Sequence, residues 1–185
     1  MHDDLTTRLA ADLDEAFPDL VRLVQDGVYS GVLRMTGNPA DAEDVTQEAL
    51  VRAYRALRGY PPERIRALRP QGWIWTIAAN LCRNRARARS RRPETALPAG
   101  IDAVEDRRAG TEEQAVGSLD RERLAGHLAA LPWPMRAAVV LRHVVGLGYP
   151  EIAAALDRPT GTVKADVHRG LGRLRAAVES EERTA

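Results

Sequence analysis

Apolar residues recur along most of this 185-residue chain at three- and four-residue steps, and no stretch sustains the strict alternation of a half-buried strand. The spacing predicts helices over roughly 13–36, 41–58 and 71–90, then over 119–131, 134–145, 150–156 and 161–178. The sharpest pattern lies near the end. Ile152, Ala153 and Leu156 share one helical face, with Gly148 as an acceptable N-cap and Pro150 suited to a first turn. The chain then turns through Asp157, Arg158 and Pro159; Pro159 cannot continue the first helix, and Thr160 or Thr162 can cap the second. Val163, Val167, Leu171 and Leu174 form an apolar stripe on that second helix, while Lys164, His168, Arg169 and Arg173 occupy the other side. An apolar back and a cationic front after a tight turn suit a helix-turn-helix entering a major groove. Taken alone, the block also fits an amphipathic hairpin with a solvated basic face.

Between the helical stretches, residues 93–118 contain Pro93, Pro98, Gly100, Gly110 and Gly117 with no sustained periodicity, and read as a linker. The chain is therefore expected to be all-α, with two small helical domains on a flexible tether: 1–92 and 119–178, followed by a tail at 179–185. The acidic segment Met1–Glu15 is expected to be mobile, and no regulatory domain is expected beyond the last helix.

The net charge of +1 conceals a segregation that sharpens the functional reading. Residues 1–50 carry 11 acids and 3 Arg, a balance of −8; residues 51–92 carry 12 Arg against Glu63 alone, a balance of +11. Residues 124–175 form a second basic segment at +4. Each basic run coincides with a motif, which favours two nucleic-acid contacts over simple solubilisation. Aromatic residues make up only 4% of the chain, so the cores must come from Leu, Val, Ile and Ala. The single cysteine, Cys82, rules out an internal disulfide or a Cys-rich zinc site. His2, His127, His143 and His168 lack metal-ligand spacing, and no P-loop or Ser/His/Asp arrangement is present. No cofactor and no metal are expected. With no bilayer-length apolar run and no signal-like start, the chain is expected in the cytoplasm, without membrane insertion.

Two upstream blocks decide between the readings. "NPADAEDVTQEALVRAYRAL" at 38–57 and "PQGWIWTIAANLCRNRARARSRR" at 70–92 precede "LPWPMRAAVVLRH" at 131–143, then Glu151-Ile152-Ala153 and "GTVK" at 161–164. In this order the motifs closely resemble the bacterial RNA polymerase sigma factors of the extracytoplasmic-function type, over residues 17 to 177. The resemblance implies a region 2-like helical bundle and a region 4-like helix-turn-helix, no enzyme activity, and promoter-directed initiation of transcription. The implied partners are core RNA polymerase and promoter DNA, double- and single-stranded. On the polymerase they are chiefly the clamp helices of the largest subunit, with the second-largest subunit also in contact. An anti-sigma factor covering both domains is a further implied partner.

Asp41 can cap the helix after Asn38-Pro39, and Ala42, Val45, Ala49 and Ala53 line its inward face. Asp44, Gln47 and Glu48 share a polar face; the resemblance makes them, with Arg52, the polymerase-docking residues. It also assigns the −10 element to the helix near 71–90 and to the loop at 58–72, which looks longer than the common family version. Trp73, Ile77 and Leu81 repeat every four residues and are expected in the core. The −10 candidates are Tyr60, Arg64 and Trp75, then Asn80, Arg83, Asn84 and Arg87, with Arg66 a further cation in the loop. Leu128, Leu131, Val139, Val140, Leu141, Val144 and Val145 are expected to build the second core.

On the second helix of the helix-turn-helix, the implied −35 contacts are Thr162, Lys164, Ala165, Asp166, His168, Arg169 and Arg173. Relatives often read G-T-V-K-S-R where this chain has "GTVKAD". Asp166 would repel phosphates unless it accepts from a cytosine amino group, so an idiosyncratic or weak −35 preference is expected. Asp157 replaces the usual turn glycine, a mild change because Asp tolerates the left-handed conformation. The main rival is a stand-alone helix-turn-helix regulator that dimerises on operator DNA. A metal-dependent nuclease using Asp41, Asp44 and Glu48 is more distant, because no second acidic cluster lies at a compatible spacing.

Overall fold

The computed structural model describes residues 2–91 and 123–183; Arg92 and the whole segment read as a linker lie outside them. The described residues are helical, with no strand among them. In the amino-terminal unit, α1 (His2–Ala11), α2 (Leu13–Thr36), α3 (Pro39–Arg58), α4 (Pro62–Arg66) and α5 (Pro70–Arg91) follow one another through short turns. The carboxy-terminal unit comprises α6 (residues 123–130), α7 (Trp133–Val139), a π-helical turn (Val140–Val144), α8 (Tyr149–Leu156) and α9 (Thr160–Glu182). No described helix is long and apolar enough to cross a membrane.

Local chemistry sets the boundaries. Asp12 caps α2 by accepting the Glu15 N–H at 3.0 Å, and Gly37 ends that helix with φ at 69°, its N–H reaching the Leu33 carbonyl. The cap of α3 is Asn38, which accepts from the Asp41 N–H, and not Asp41 itself. Pro39 occupies the first helical turn, where its missing donor costs nothing, and that moves the helix start two residues earlier than expected. Gly148 opens α8 with its N–H donated to Glu151, and Asp157 closes it at φ 52°, the left-handed conformation expected of it. α9 begins at Thr160 behind Pro159 with no side-chain cap, so neither threonine caps it.

α2 packs along α3 and α5, and α3 packs on α5. Ala42, Val45, Ala49 and Ala53 of α3 are fully buried in this layer, small enough to let the helices approach closely. The acidic amino terminus is not a loose tail: α1 lies across α2 and α4, burying Thr6 and Leu9 near the buried Ile65. Arg8 pairs with Asp19 and so pins α1 to α2, while Arg22, one turn on within α2, pairs with the same carboxylate. Arg8 holds the Asp19 carboxyl below the usual carboxylate range.

In the carboxy-terminal unit α9 packs on α7 and α8. Leu128, Leu131, Val139, Val140 and Leu141 are buried as expected, but Val144 is exposed and Val145 only half-buried. The π-helical turn is the cause. Val145 N–H reaches back to the Val140 carbonyl, and the wider turn carries Val144 out of the apolar face. The two units also meet, because α5 packs against α8 and α2 against the π-helical turn.

Candidate nucleic-acid interface

Three surfaces gather the residues singled out by sequence. On α3, Asp44 and Gln47 are exposed and Glu48 is half-buried, sharing one face with exposed Val51. Arg52 donates through Nε and Nη2 to Glu48 Oε1, at 3.0 and 2.6 Å, and Gln47 donates to Glu43. The sequence reading missed two cations here. Arg85 of α5 donates to the Asp41 carbonyl at 3.0 Å and stands 3.6 Å from the Asp44 carboxylate and 3.9 Å from Glu48. Arg89, one turn on, pairs with Asp41. The basic face of α5 thus neutralises the acidic face of α3. Their regular spacing, Arg83 to Arg89 at every second residue, gave no signal for which arginines turn inward.

The second surface surrounds α4 and α5. Tyr60 and Trp73 lie 6.0 Å apart at 57°, and the Arg64 guanidinium sits 3.7 Å from the Tyr60 ring centre. Exposed Asn84 and Arg87 follow farther along α5, with Asn80 half-buried. Three expectations need correction. Trp75 is only 5% exposed, its indole packed against Gly31 of α2, so it presents no stacking face. The buried face of α5 runs through Ile74, Ala78, Leu81 and Cys82, while Trp73 and Ile77, expected in the core, are half-buried. Rotating the helix by one residue is what brings Trp75 inward and leaves Trp73 beside Tyr60. Arg83 is the third: its side chain is 16% exposed and points to α8, where it donates to the Leu156 carbonyl.

The third surface is the outer face of α9. Lys164, Ala165, His168, Arg169 and Arg173 are exposed along it, and Thr162 is half-buried. Lys164 Nζ lies 5.6 Å from the Tyr149 ring, which also faces Arg142 at 5.0 Å. Asp166 departs from this face. It is 3% exposed, and its carboxylate is engaged by Arg158 from the turn and by Arg169 at 2.8 Å. An acceptor for a cytosine amino group is not on offer, because both oxygens are committed inside the protein.

This arrangement has counterparts. Residues 20–92 match the family model for Sigma-70 region 2, and residues 121–174 match that for Sigma-70, region 4. The ECF RNA polymerase sigma factor SigE of Mycolicibacterium smegmatis is 38% identical over 160 residues, covering 86% of this chain. That alignment spans 60% of the mycobacterial protein. SigW of Bacillus subtilis, another ECF sigma factor, is 32% identical over 170 residues, covering 87% of this chain and 88% of its own length. In fold the chain resembles the sigma factor RpoE, solved in complex with the anti-sigma factor NepR from Bartonella quintana. The TM-score is 0.69 at 22% identity, over 88% of this chain and 96% of that one. Since the similarity to SigW runs through both helical units and nearly the whole of each chain, the protein belongs to the ECF family of RNA polymerase sigma factors.

Proposed function

We propose that this sigma factor docks on core RNA polymerase through the α3 face of Asp44, Gln47, Glu48 and Arg52, with exposed Val51 as its apolar centre. In this reading the clamp helices of the largest subunit are the main contact, and the second-largest subunit adds a smaller one. Residues 1–92 handle the −10 element and its melted strand; residues 119–178 read the −35 element in the duplex; 93–118 tether the two. Neither unit performs covalent chemistry, and the protein works in the cytoplasm. Tethering raises the local concentration of the second DNA contact once the first has formed, so two modest interfaces select one promoter.

The observation that carries this reading is the exposed row of Lys164, Ala165, His168, Arg169 and Arg173 on α9, set on an apolar stripe that holds the helix against α7 and α8. Around α5, the −10 reading rests on Tyr60, Arg64, Asn80, Asn84 and Arg87, with Trp73 taking the aromatic role proposed from sequence for Trp75. Arg83 becomes available to a DNA strand only when α8 separates from α5. An anti-sigma factor is a further proposed partner, supported by the fold shared with a sigma factor solved beside one.

Transcription in vitro from a fragmented genomic library, with core polymerase and with or without this protein, tests the proposal. Discrete new 5′ ends sharing two spaced motifs, lost with the Gln47→Ala, Glu48→Arg double variant, are expected. Operator binding without polymerase and no new starts would overturn it.

A further inference from the structure

We infer that Arg158, in the turn of the helix-turn-helix, is an additional DNA-contacting residue, and that Asp166 is a positioning residue holding Arg158 and Arg169 as a fixed cationic pair. The inference rests on the −35 reading above. Asp166 is the one charged residue of α9 that the fold buries among those described, and a buried carboxylate is tolerated only when paired and hydrogen-bonded. Both its oxygens are used, Oδ2 by Arg158 Nη1 and Oδ1 by Arg169 Nη2. The two guanidiniums come from different elements, one from the turn and one from the outer face of α9. A single carboxylate therefore sets their separation.

The charge of the three groups together is +1, and the cationic side is the one that faces out. The side chains of Arg158 and Arg169 are 31% and 57% exposed, against 4% for Asp166. Each guanidinium has five N–H donors in a rigid fork, and the Asp166 contact engages one nitrogen of each. The remaining edges suit a phosphate for Arg158 and, beside Lys164 and His168, a base edge or phosphate for Arg169. Holding both arginines before DNA arrives removes the entropy that a long side chain otherwise loses on binding. This also accounts for the departure from the family motif: an acid at position 166 is turned inward, where it organises cations instead of repelling the backbone.

Holoenzyme reconstituted from core polymerase and the full chain tests this on a promoter fragment recovered in the library experiment, together with a series substituted at each −35 base pair. Arg158→Ala is expected to weaken binding to every member of the series by a similar factor and to reduce the slope of log K against log salt by about one. Asp166→Asn is expected to lower discrimination between the best and the substituted −35 sequences by roughly tenfold, although it removes a negative charge. If Asp166 acted only by repulsion, that variant would tighten binding to all sequences and keep the discrimination, and this result would overturn the positioning role. An Arg158→Ala variant with the wild-type salt slope would overturn the contact. Thermal melting separates misfolding from these effects, and Arg158→Ala, which leaves Asp166 paired with Arg169, carries the test of the contact if Asp166→Asn unfolds. Wild-type holoenzyme indifferent to every −35 substitution would instead refute the underlying −35 reading.

Discussion

Arg83 of α5 donates to the carbonyl oxygen of Leu156, at the end of α8, at 2.8 Å. The same guanidinium stands 3.3 Å from the Asp157 carboxylate. A helix C-terminus has unpaired carbonyls and a partial negative charge, so a cation placed there is held by both. The contact joins a residue proposed for the −10 strand to the turn of the −35 reader. Arg83 cannot occupy both places.

The first prediction follows from that exclusion. Arg83→Ala should loosen the closed arrangement and raise the radius of gyration measured by small-angle scattering. Asp157→Asn, which keeps a residue tolerant of left-handed φ, removes only the ion pair to an exposed carboxylate and leaves the Leu156 carbonyl contact in place. It should therefore shift the radius much less. Equal radii for wild type and Arg83→Ala would show that the contact does not hold the two units together.

A second prediction concerns α3. Glu48 lies between Arg52 and Arg85, accepting from the first and standing 3.9 Å from the second. Glu48→Arg would place three cations together and give a charge-balanced docking face a net positive charge. Affinity for core polymerase, measured by native gel shift or calorimetry, should fall at least about tenfold, which corresponds to ~1.4 kcal/mol. An Arg22→Ala control, on α2, should bind as wild type. Undiminished core affinity of Glu48→Arg would move the docking face elsewhere.

These residues show what the sequence could and could not tell. The stripe of Val163, Val167, Leu171 and Leu174 was readable because helical spacing alone fixes it, and the small inward residues of α3 were readable for the same reason. The phase of α5 was not. Trp73, Ile77 and Leu81 make as good a stripe as Ile74, Ala78 and Leu81, and the rotation that buries Trp75 depends on packing such as its close approach to Gly31 of α2. α1 escaped notice because Leu5 and Leu9 are too few to mark a helix, and what buries Leu9 is packing against α2 and α4. The Asp166–Arg169 spacing was visible on one helix, whereas the arrival of Arg158 depended on the turn.

The Gly31 contact gives the third prediction. A Cβ built at Gly31 would penetrate the Trp75 ring, a rigid group that cannot swing away like a flexible side-chain end. Gly31→Ala should raise intrinsic helix propensity and yet destabilise the fold, because overpacking at such a site costs about 1–3 kcal/mol. Gly27, four residues earlier on α2, has nothing within 4 Å of its Cβ position. Gly27→Ala should therefore be neutral or stabilising by up to about 1 kcal/mol. Chemical denaturation of the pair checks the contrast, and the same change in stability for both variants would show that the α2–α5 packing is not as described.

The last prediction concerns Cys82, which lies on the buried face of α5 and has its thiol pushed up to about 12 by burial. The thiolate is the nucleophile, so a thiol held neutral and covered should resist alkylation at neutral pH until the chain opens. Folded protein should be labelled by a maleimide far more slowly than a free thiol, and denatured protein at the free-thiol rate. The sign with pH follows from the same shift. Below the ordinary thiol range both folded and unfolded chains keep the proton, and Cys82 contributes no pH dependence. Above it the unfolded chain releases the proton while the folded chain retains it until about 12, so stability falls as pH rises through that window. Cys82→Ala should flatten this alkaline decline, at the expense of a small cavity in the α5 core. Rapid labelling of the native chain would instead mean that α5 opens locally, without global unfolding.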